Sequence, residues 1–204
     1  MVVTLFFDTE TTGLAKFKSL SALQMKGNWP DLVSICWIMY EGTERIKKVY
    51  HIIRPDEWTI PAASSQIHGI TEEIATEQGN SLRVVLESFK EDCKAANYIV
   101  AHNMFFDKNV LFNAYAWRLG TGPTGFWNAQ KEICTMQKSK NELKIPSKYG
   151  KPNDMYKYPS LDDLYRATFS EEPPGNAHSA DRDVEVLSQT FWRRWGETVT
   201  PALV

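Results

Sequence analysis

Cysteine is scarce in this chain. Its three residues, Cys36, Cys93 and Cys134, are scattered and odd in number. Each lies in or beside an apolar stretch, so we expect reduced core thiols rather than a disulfide framework. Long apolar runs are also missing. Nothing approaches the ~18 residues that a membrane helix requires, so no membrane partner is expected. An excess of basic charge is missing too. Lys and Arg number 23 against 25 Asp and Glu, a formal net charge of −2. No general positive field draws a polyanion, and such a partner would need local basic patches. Internal repeats and low-complexity tracts are absent. The chain enters an apolar β-type run at once instead of a signal peptide, which with reduced thiols suggests a cytoplasmic location. What remains is 204 residues, 43% hydrophobic. That is one medium domain with enough core to fold alone.

The chemistry starts at Phe6-Phe7-Asp8-Thr9-Glu10-Thr11-Thr12-Gly13-Leu14. The run Val2–Phe7 reads as a buried strand. Side chains at i and i+2 of a strand share a face, so Asp8 and Glu10 converge at its end. Two adjacent carboxylates are costly unless a cation or a proton relieves them. Hard oxygen ligands without neighbouring Cys or His suit Mg²⁺ or Mn²⁺ better than zinc. Thr11-Thr12-Gly13 then turns the chain and offers hydroxyls and backbone N–H groups beside that site.

The polar stretch Ala15–Asp31 reads as an irregular loop near the site, a candidate for contacting substrate. Leu32–Tyr40 and Arg45–Ile53 read as an antiparallel hairpin around Glu41–Glu44. Thr71 is a candidate N-cap, with His68 in a loop before it. Ser81 opens an amphipathic helix with Leu82, Val85, Leu86 and Phe89 on one face. Tyr98–Ala101 is a short buried strand, so the second half turns α/β. His102-Asn103-Met104-Phe105-Phe106-Asp107 follows and opens a helix to about Leu119. Asp107 thus lies near the end of a parallel strand, where sites in open α/β sheets form. Glu132–Met136 reads as an edge strand. Lys138, Lys140, Lys144, Lys148, Lys151 and Lys157 follow in a loop with Tyr149, Tyr156 and Tyr158, a composition suited to phosphates and bases. Ser160–Phe169 reads as a capped helix. Ala177-His178-Ser179-Ala180-Asp181-Arg182-Asp183-Val184 opens the last helix, with Leu187, Phe191 and Trp195 inward. On a regular helix His178 and Asp183 would sit about 140° apart. Both face one site only if His178 lies on the turn before the helix.

Asp8, Glu10, Asp107, His178 and Asp183, in F-D-T-E-T-T-G-L, A-H-N-M-F-F-D and A-H-S-A-D-R-D-V, resemble the DEDDh (DnaQ-like) family of 3′–5′ exonucleases. The resemblance spans Leu5 to about Val186. It implies an α/β, ribonuclease-H-like fold. The sheet would be mixed and five-stranded, an antiparallel meander plus two parallel strands, flanked by helices. One exonuclease domain would cover 1–197, with a tail over 198–204. Two divalent ions, Mg²⁺ or Mn²⁺, would be held by the four acids: Asp8 on both, Glu10 and Asp183 on the first, Asp107 on the second. His178 would act as general base. Thr9, Thr11, Thr12, Gly13 and Leu14 would receive the 3′-terminal nucleotide, with Leu14 as a wedge, and His68, Asn103 and Phe106 would add contacts. The products would be nucleoside monophosphates. The partners would be single strands or duplex 3′ ends, with DNA favoured over RNA, and a polymerase or other replication or repair protein. The alternatives are an RNA-trimming exoribonuclease and a non-catalytic module that binds nucleic-acid ends. Tyr158-Pro159-Ser160-Leu161-Asp162 also matches the Tyr-x-x-x-Asp spacing of a sister group. Pro159 and Ser160 instead make Asp162 a first-turn capping acid, so His178/Asp183 is preferred.

Overall fold

The computed structural model describes residues 1–123, 125–128, 131–151 and 154–199, and for 149–151, 154, 198 and 199 only the backbone. Its centre is the strand β1, Val3–Thr11. On one side β1 pairs antiparallel with β2, Leu32–Glu41, which pairs antiparallel with β3, Glu44–Ile52. On the other it runs parallel to β4, Tyr98–Ala101, which runs parallel to β5, Glu132–Cys134. The order β3-β2-β1-β4-β5 is the mixed ribonuclease-H-like sheet that the motifs imply.

Alternation along β1 divides the core. Leu5 and Phe7 pack with Ile35, Trp37 and Met39 beneath α3, Leu82–Ala95, and α4, Met104–Asn113, which continues as a π-helix over Ala114–Arg118. Phe6 points to the opposite face, with Cys36, Ile38 and Val100. That face is covered by α6, Leu161–Phe169, and by Val184, Leu187, Phe191 and Trp195 of the last helix, α7, Ala180–Val199. Asp8 and Glu10 continue the Phe6 face, so β1 aims both acids at the side where α7 begins.

Three expectations need correction. His68 is not in a loop: it ends a short helix, α1, Ala62–His68, that stops at Gly69 with φ 76°. The next helix, α2, Glu72–Gln78, is capped by the Thr71 hydroxyl as expected. The lysine-rich stretch is not a loop either. It holds α5, Thr135–Leu143, and a hairpin of β6, Pro146–Lys151, with β7, Asp154–Tyr156. The expected edge strand is accordingly cut short at Cys134. The side chains of Tyr149 and Lys151 lie outside the described residues. Finally, the capping acid of α6 is Asp163, not Asp162. Ser160 is the N-cap, and the reciprocal bond comes from the third helical residue. Of the tail expected from 198, two residues extend α7 and 200–204 lie outside the described residues.

Candidate active site

The acids gather where β1 ends. One carboxylate oxygen each from Asp8, Glu10 and Asp183 lies within 4.8 Å of the others. Asp183 arrives from the first turn of α7 and Asp107 from the first turn of α4. Asp107 is 3% exposed and stands outside the close trio, lining the same cleft of about 490 Å³. It is held by Thr9, whose Oγ1 donates to Asp107 Oδ1 at 2.7 Å.

Burial and like charge act together here. Burial lifts the Asp8 carboxyl well above its ordinary range, and Asp107, Asp183 and Glu10 raise it further against the opposing Arg182. Burial, then Asp183 and Asp107, push Glu10 up to about 8. Burial carries Asp107 to about 7 despite the Thr9 hydroxyl and backbone donors. Asp183 is also raised by burial, with Arg182 and the His178 backbone opposing. Without a cation the cluster keeps protons. Oxygen-only ligands in this density fit a hard divalent ion.

His178 lies before α7, in a left-handed backbone conformation with φ 66°. Its N–H donates to Asp183 Oδ2 at 3.1 Å, while the imidazole is exposed on the cleft. The other oxygen of Asp183 lies 2.6 Å from Arg182 Nη1, which also meets Asp162 Oδ1 at 2.8 Å. Asp162, the acid of the Tyr-x-x-x-Asp spacing, is thus an anchor for Arg182.

The turn after β1 is built differently from the expectation. Thr9 and Thr11 are buried. The Thr9 hydroxyl is spent on Asp107, and the Thr11 hydroxyl donates to the Gly13 carbonyl at 2.7 Å. Thr12 does not line the cleft; its hydroxyl accepts the Asp31 N–H at 2.9 Å. These threonines shape the turn rather than offer free hydroxyls. Gly13 and Leu14 do line the cleft, and Leu14 is 71% exposed. Asn103 and Phe106 line it from the start of α4. His68 lines it from α1. Its Nδ1 accepts the Ile70 N–H at 3.1 Å, which places the ring proton on the buried Nε2, on the side of the Thr11 backbone.

Sequence reading overlooked several contributors. Ser64 and Ile67 reach the cleft on α1, and Met136 on α5, both helices without a strong apolar stripe. His102 also lines it. Its Nε2 is 3.0 Å from the Pro159 carbonyl, which can only accept, so Nε2 carries the proton and Nδ1 accepts from the Thr135 hydroxyl at 2.9 Å. Burial drives its pKa down to about 4. His102 is a neutral brace joining β4, α5 and α6. Its place at the end of β4 was the available signal.

The exonuclease family model of the RNase T type matches residues 5–191. This chain belongs to that exonuclease family. The F-D-T-E-T-T-G-L, A-H-N-M-F-F-D and A-H-S-A-D-R-D-V motifs all lie within the matched span. The chain's fold superimposes on E. coli exonuclease I in complex with a dT13 oligonucleotide. There the TM-score is 0.71 at 16% identity, over 95% of this chain and 41% of that one. The zinc-bound E. coli exonuclease I–ssDNA complex gives 0.71 at 18% identity, over 96% of this chain and 41% of that one. Exonuclease I from Methylocaldum szegediense gives 0.66 at 14%, over 96% and 41%. The exonuclease domain therefore spans about two fifths of these exonuclease I chains. No curated protein matches it.

Proposed function

We propose that this exonuclease domain removes nucleoside monophosphates from the 3′ ends of single-stranded DNA by a two-metal mechanism. The observation that carries the reading is the convergence of three carboxylates within 4.8 Å, opposite an exposed histidine in one cleft. Asp8, Glu10 and Asp183 would hold one divalent ion, and Asp8 with Asp107 a second. Bound there, such ions activate a water, neutralise phosphoryl oxygens and stabilise the leaving oxygen.

The chain's own groups do the rest. His178 accepts the proton of the attacking water. The water oxygen bonds to phosphorus and the P–O3′ bond breaks. The leaving O3′ takes a proton from solvent and stays on the strand as a new 3′-hydroxyl, and a nucleoside 5′-monophosphate leaves. Thr9 holds Asp107 still and Arg182 orients Asp183. Leu14, Asn103, Phe106 and His68 form the walls against which the terminal nucleotide is placed. DNA is favoured because structural neighbours of the E. coli exonuclease I type are complexes with dT13 and dA16 oligonucleotides.

End-labelled single strands test this. With Mg²⁺, a 3′-labelled DNA strand should release its label at once as mononucleotide, while a 5′-labelled strand shortens stepwise. Excess chelator should stop both. Release from the 5′ end first, or full activity in chelator, would overturn the reading. Faster loss of an RNA strand would move the substrate to RNA.

A further inference from the structure

Between the end of β1 and the start of β2 the chain crosses the surface with neither helix nor strand. Structureless loops of more than about 12–15 residues are uncommon inside compact domains, and they are usually functional or disordered. This one is held rigidly. Asn28 is buried: its Oδ1 accepts the Phe17 N–H at 2.8 Å and its Nδ2 donates to the Phe17 carbonyl at 3.0 Å. Asn109 Oδ1 accepts the Ala22 N–H at 2.7 Å. The Trp29 indole N–H donates to the Leu20 carbonyl at 2.9 Å, and that of Trp117 to the Ala22 carbonyl at 2.8 Å. All of these bonds end on loop backbone. They fix its path, with Ala15, Ala22, Asn28 and Trp29 inward and Lys16, Phe17, Lys18 and Lys26 outward.

What points outward is one kind of chemistry. From Thr11 to Pro30 the chain carries Lys16, Lys18 and Lys26 and no acid, in a protein of net charge −2. All three lysines are exposed and have no ion-pair partner among the described residues. Phe17, between two of them, is 54% exposed. Three lysines of the α5–β7 region differ. Lys157 pairs with Asp163 at 2.9 Å, Lys140 sits over the Tyr158 ring at 4.3 Å, and Lys138 over Trp195 at 5.5 Å. Beneath the loop is a hollow of about 460 Å³, lined by Lys16, Lys26 and Trp117. Its acids are Asp31, neutralised by the Arg118 guanidinium at 2.7 Å, and Glu57. This hollow and the catalytic cleft share Gly13 and Leu14.

We infer that the loop from Ala15 to Asn28 is a second strand-binding subsite, reached across Leu14. It takes the single strand 5′ of the terminal nucleotide, with phosphates on Lys16, Lys18 and Lys26 and a base on Phe17. Unpaired lysines interleaved with an exposed aromatic on a fixed backbone are what a single strand requires, because every nucleotide supplies a charge and a π-face. A merely solvated loop has no need of buried amides to hold it. The inference rests on the exonuclease reading above.

The test compares the wild type with a Lys16→Ala/Lys18→Ala/Lys26→Ala variant and with Phe17→Ala. Binding of a long single-stranded oligodeoxynucleotide is read by anisotropy in chelator, without turnover. Hydrolysis of the same strand, and of the p-nitrophenyl ester of thymidine 5′-monophosphate, is read with Mg²⁺. The triple variant should weaken long-strand binding and flatten the log–log salt slope by up to ~0.7 per lysine. Phe17→Ala should weaken it roughly tenfold, from the loss of one stacked base. Hydrolysis of the ester, which has no upstream strand, should be unchanged. Wild-type affinity and slope in both variants would overturn the inference. So would a loss confined to duplex substrates, which would assign the loop to the complementary strand. If the wild type hydrolyses neither substrate, the exonuclease reading fails, while the binding measurement still decides the loop.

Discussion

His178 occupies an unusual place for a group proposed to move a proton. Its backbone is left-handed, its N–H is tied to Asp183, and its imidazole is exposed. The main chain is thus fixed while the ring is free to swing over the cleft. A side chain at positive φ costs about 1 kcal/mol, a strain that glycine does not bear. His178→Gly should therefore leave the melting temperature near wild type, since relieved strain offsets the greater freedom of the unfolded chain. It should lose roughly 10²–10⁴-fold in kcat, the usual reach of a general base. Strand affinity in chelator should hold. A variant that keeps wild-type kcat would remove His178 from the mechanism. His68 gives the contrast. Burial lowers its pKa and its Nδ1 is already accepting a hydrogen bond, so it serves as a neutral wall.

Among the elements, β1 was readable from sequence because its apolar alternation ends in two acids on one face. So was α7, whose Leu187, Phe191 and Trp195 recur at helical spacing. The elements that escaped are those the core does not organise. Helix α1 buries only Ser64, and α5 only Thr135 and Ser139, so neither displays an apolar stripe. The threonines at the end of β1 were identified as near the site, but their hydrogen-bond partners were not. Which partner a hydroxyl takes depends on Asp31, Asp107 and the Gly13 carbonyl, and local pattern does not reveal those meetings. Arg182 was invisible for the same reason, since its second partner, Asp162, is brought in by α6. Gly79 shows how closely a peripheral helix such as α2 is fitted to the rest. It ends α2, donates to the Ala75 carbonyl and accepts from Arg54 Nη2 at 2.9 Å. A Cβ there would stand 2.7 Å from Arg54 Cα and closer still to Arg54 N and the Ala75 oxygen, all backbone. Gly79→Ala should cost about 1–3 kcal/mol, the range for overpacking. That corresponds to about 2–4 °C per kcal/mol for a chain of this size. The α1–α2 unit carries Ser64, Ile67 and His68 into the cleft, whereas the acids sit on β1, α4 and α7. The activity lost should therefore appear mainly in KM. An unchanged melting temperature would show that α2 docks less tightly than the structure indicates.

For the whole molecule, the acid cluster sets how stability follows pH. Folding raises the pKa values of Asp8, Glu10, Asp107 and Asp183, with Glu10 at about 8 and Asp107 at about 7. A carboxyl with a raised folded pKa favours the folded state most fully below its unfolded pKa. That contribution is lost as pH rises through the folded value. The four acids thus act to destabilise the metal-free protein from about pH 4.5 to 8, given the ordinary carboxyl range as the lower bound. The depressed carboxyl of Asp163 acts in the opposite sense below this window, and the lowered imidazoles of His51, His68 and His102 oppose the acids up to about pH 6.5, so the net fall is steepest above that. Divalent ions should reverse the trend. By binding the ionised acids they would displace protons, so the stabilisation they give should grow with pH. Melting curves in chelator should fall by several degrees between pH 5 and 8, and Mg²⁺ or Mn²⁺ should restore most of that loss at pH 8 but little at pH 5. Asp8→Asn removes the charge nearest the centre of the cluster, so it should flatten the decline in chelator and shrink the metal-induced rise. A metal-free melting temperature that stays level or climbs across this range would mean that the four acids are not crowded, and with that the basis for a two-ion site at the end of β1 would be gone.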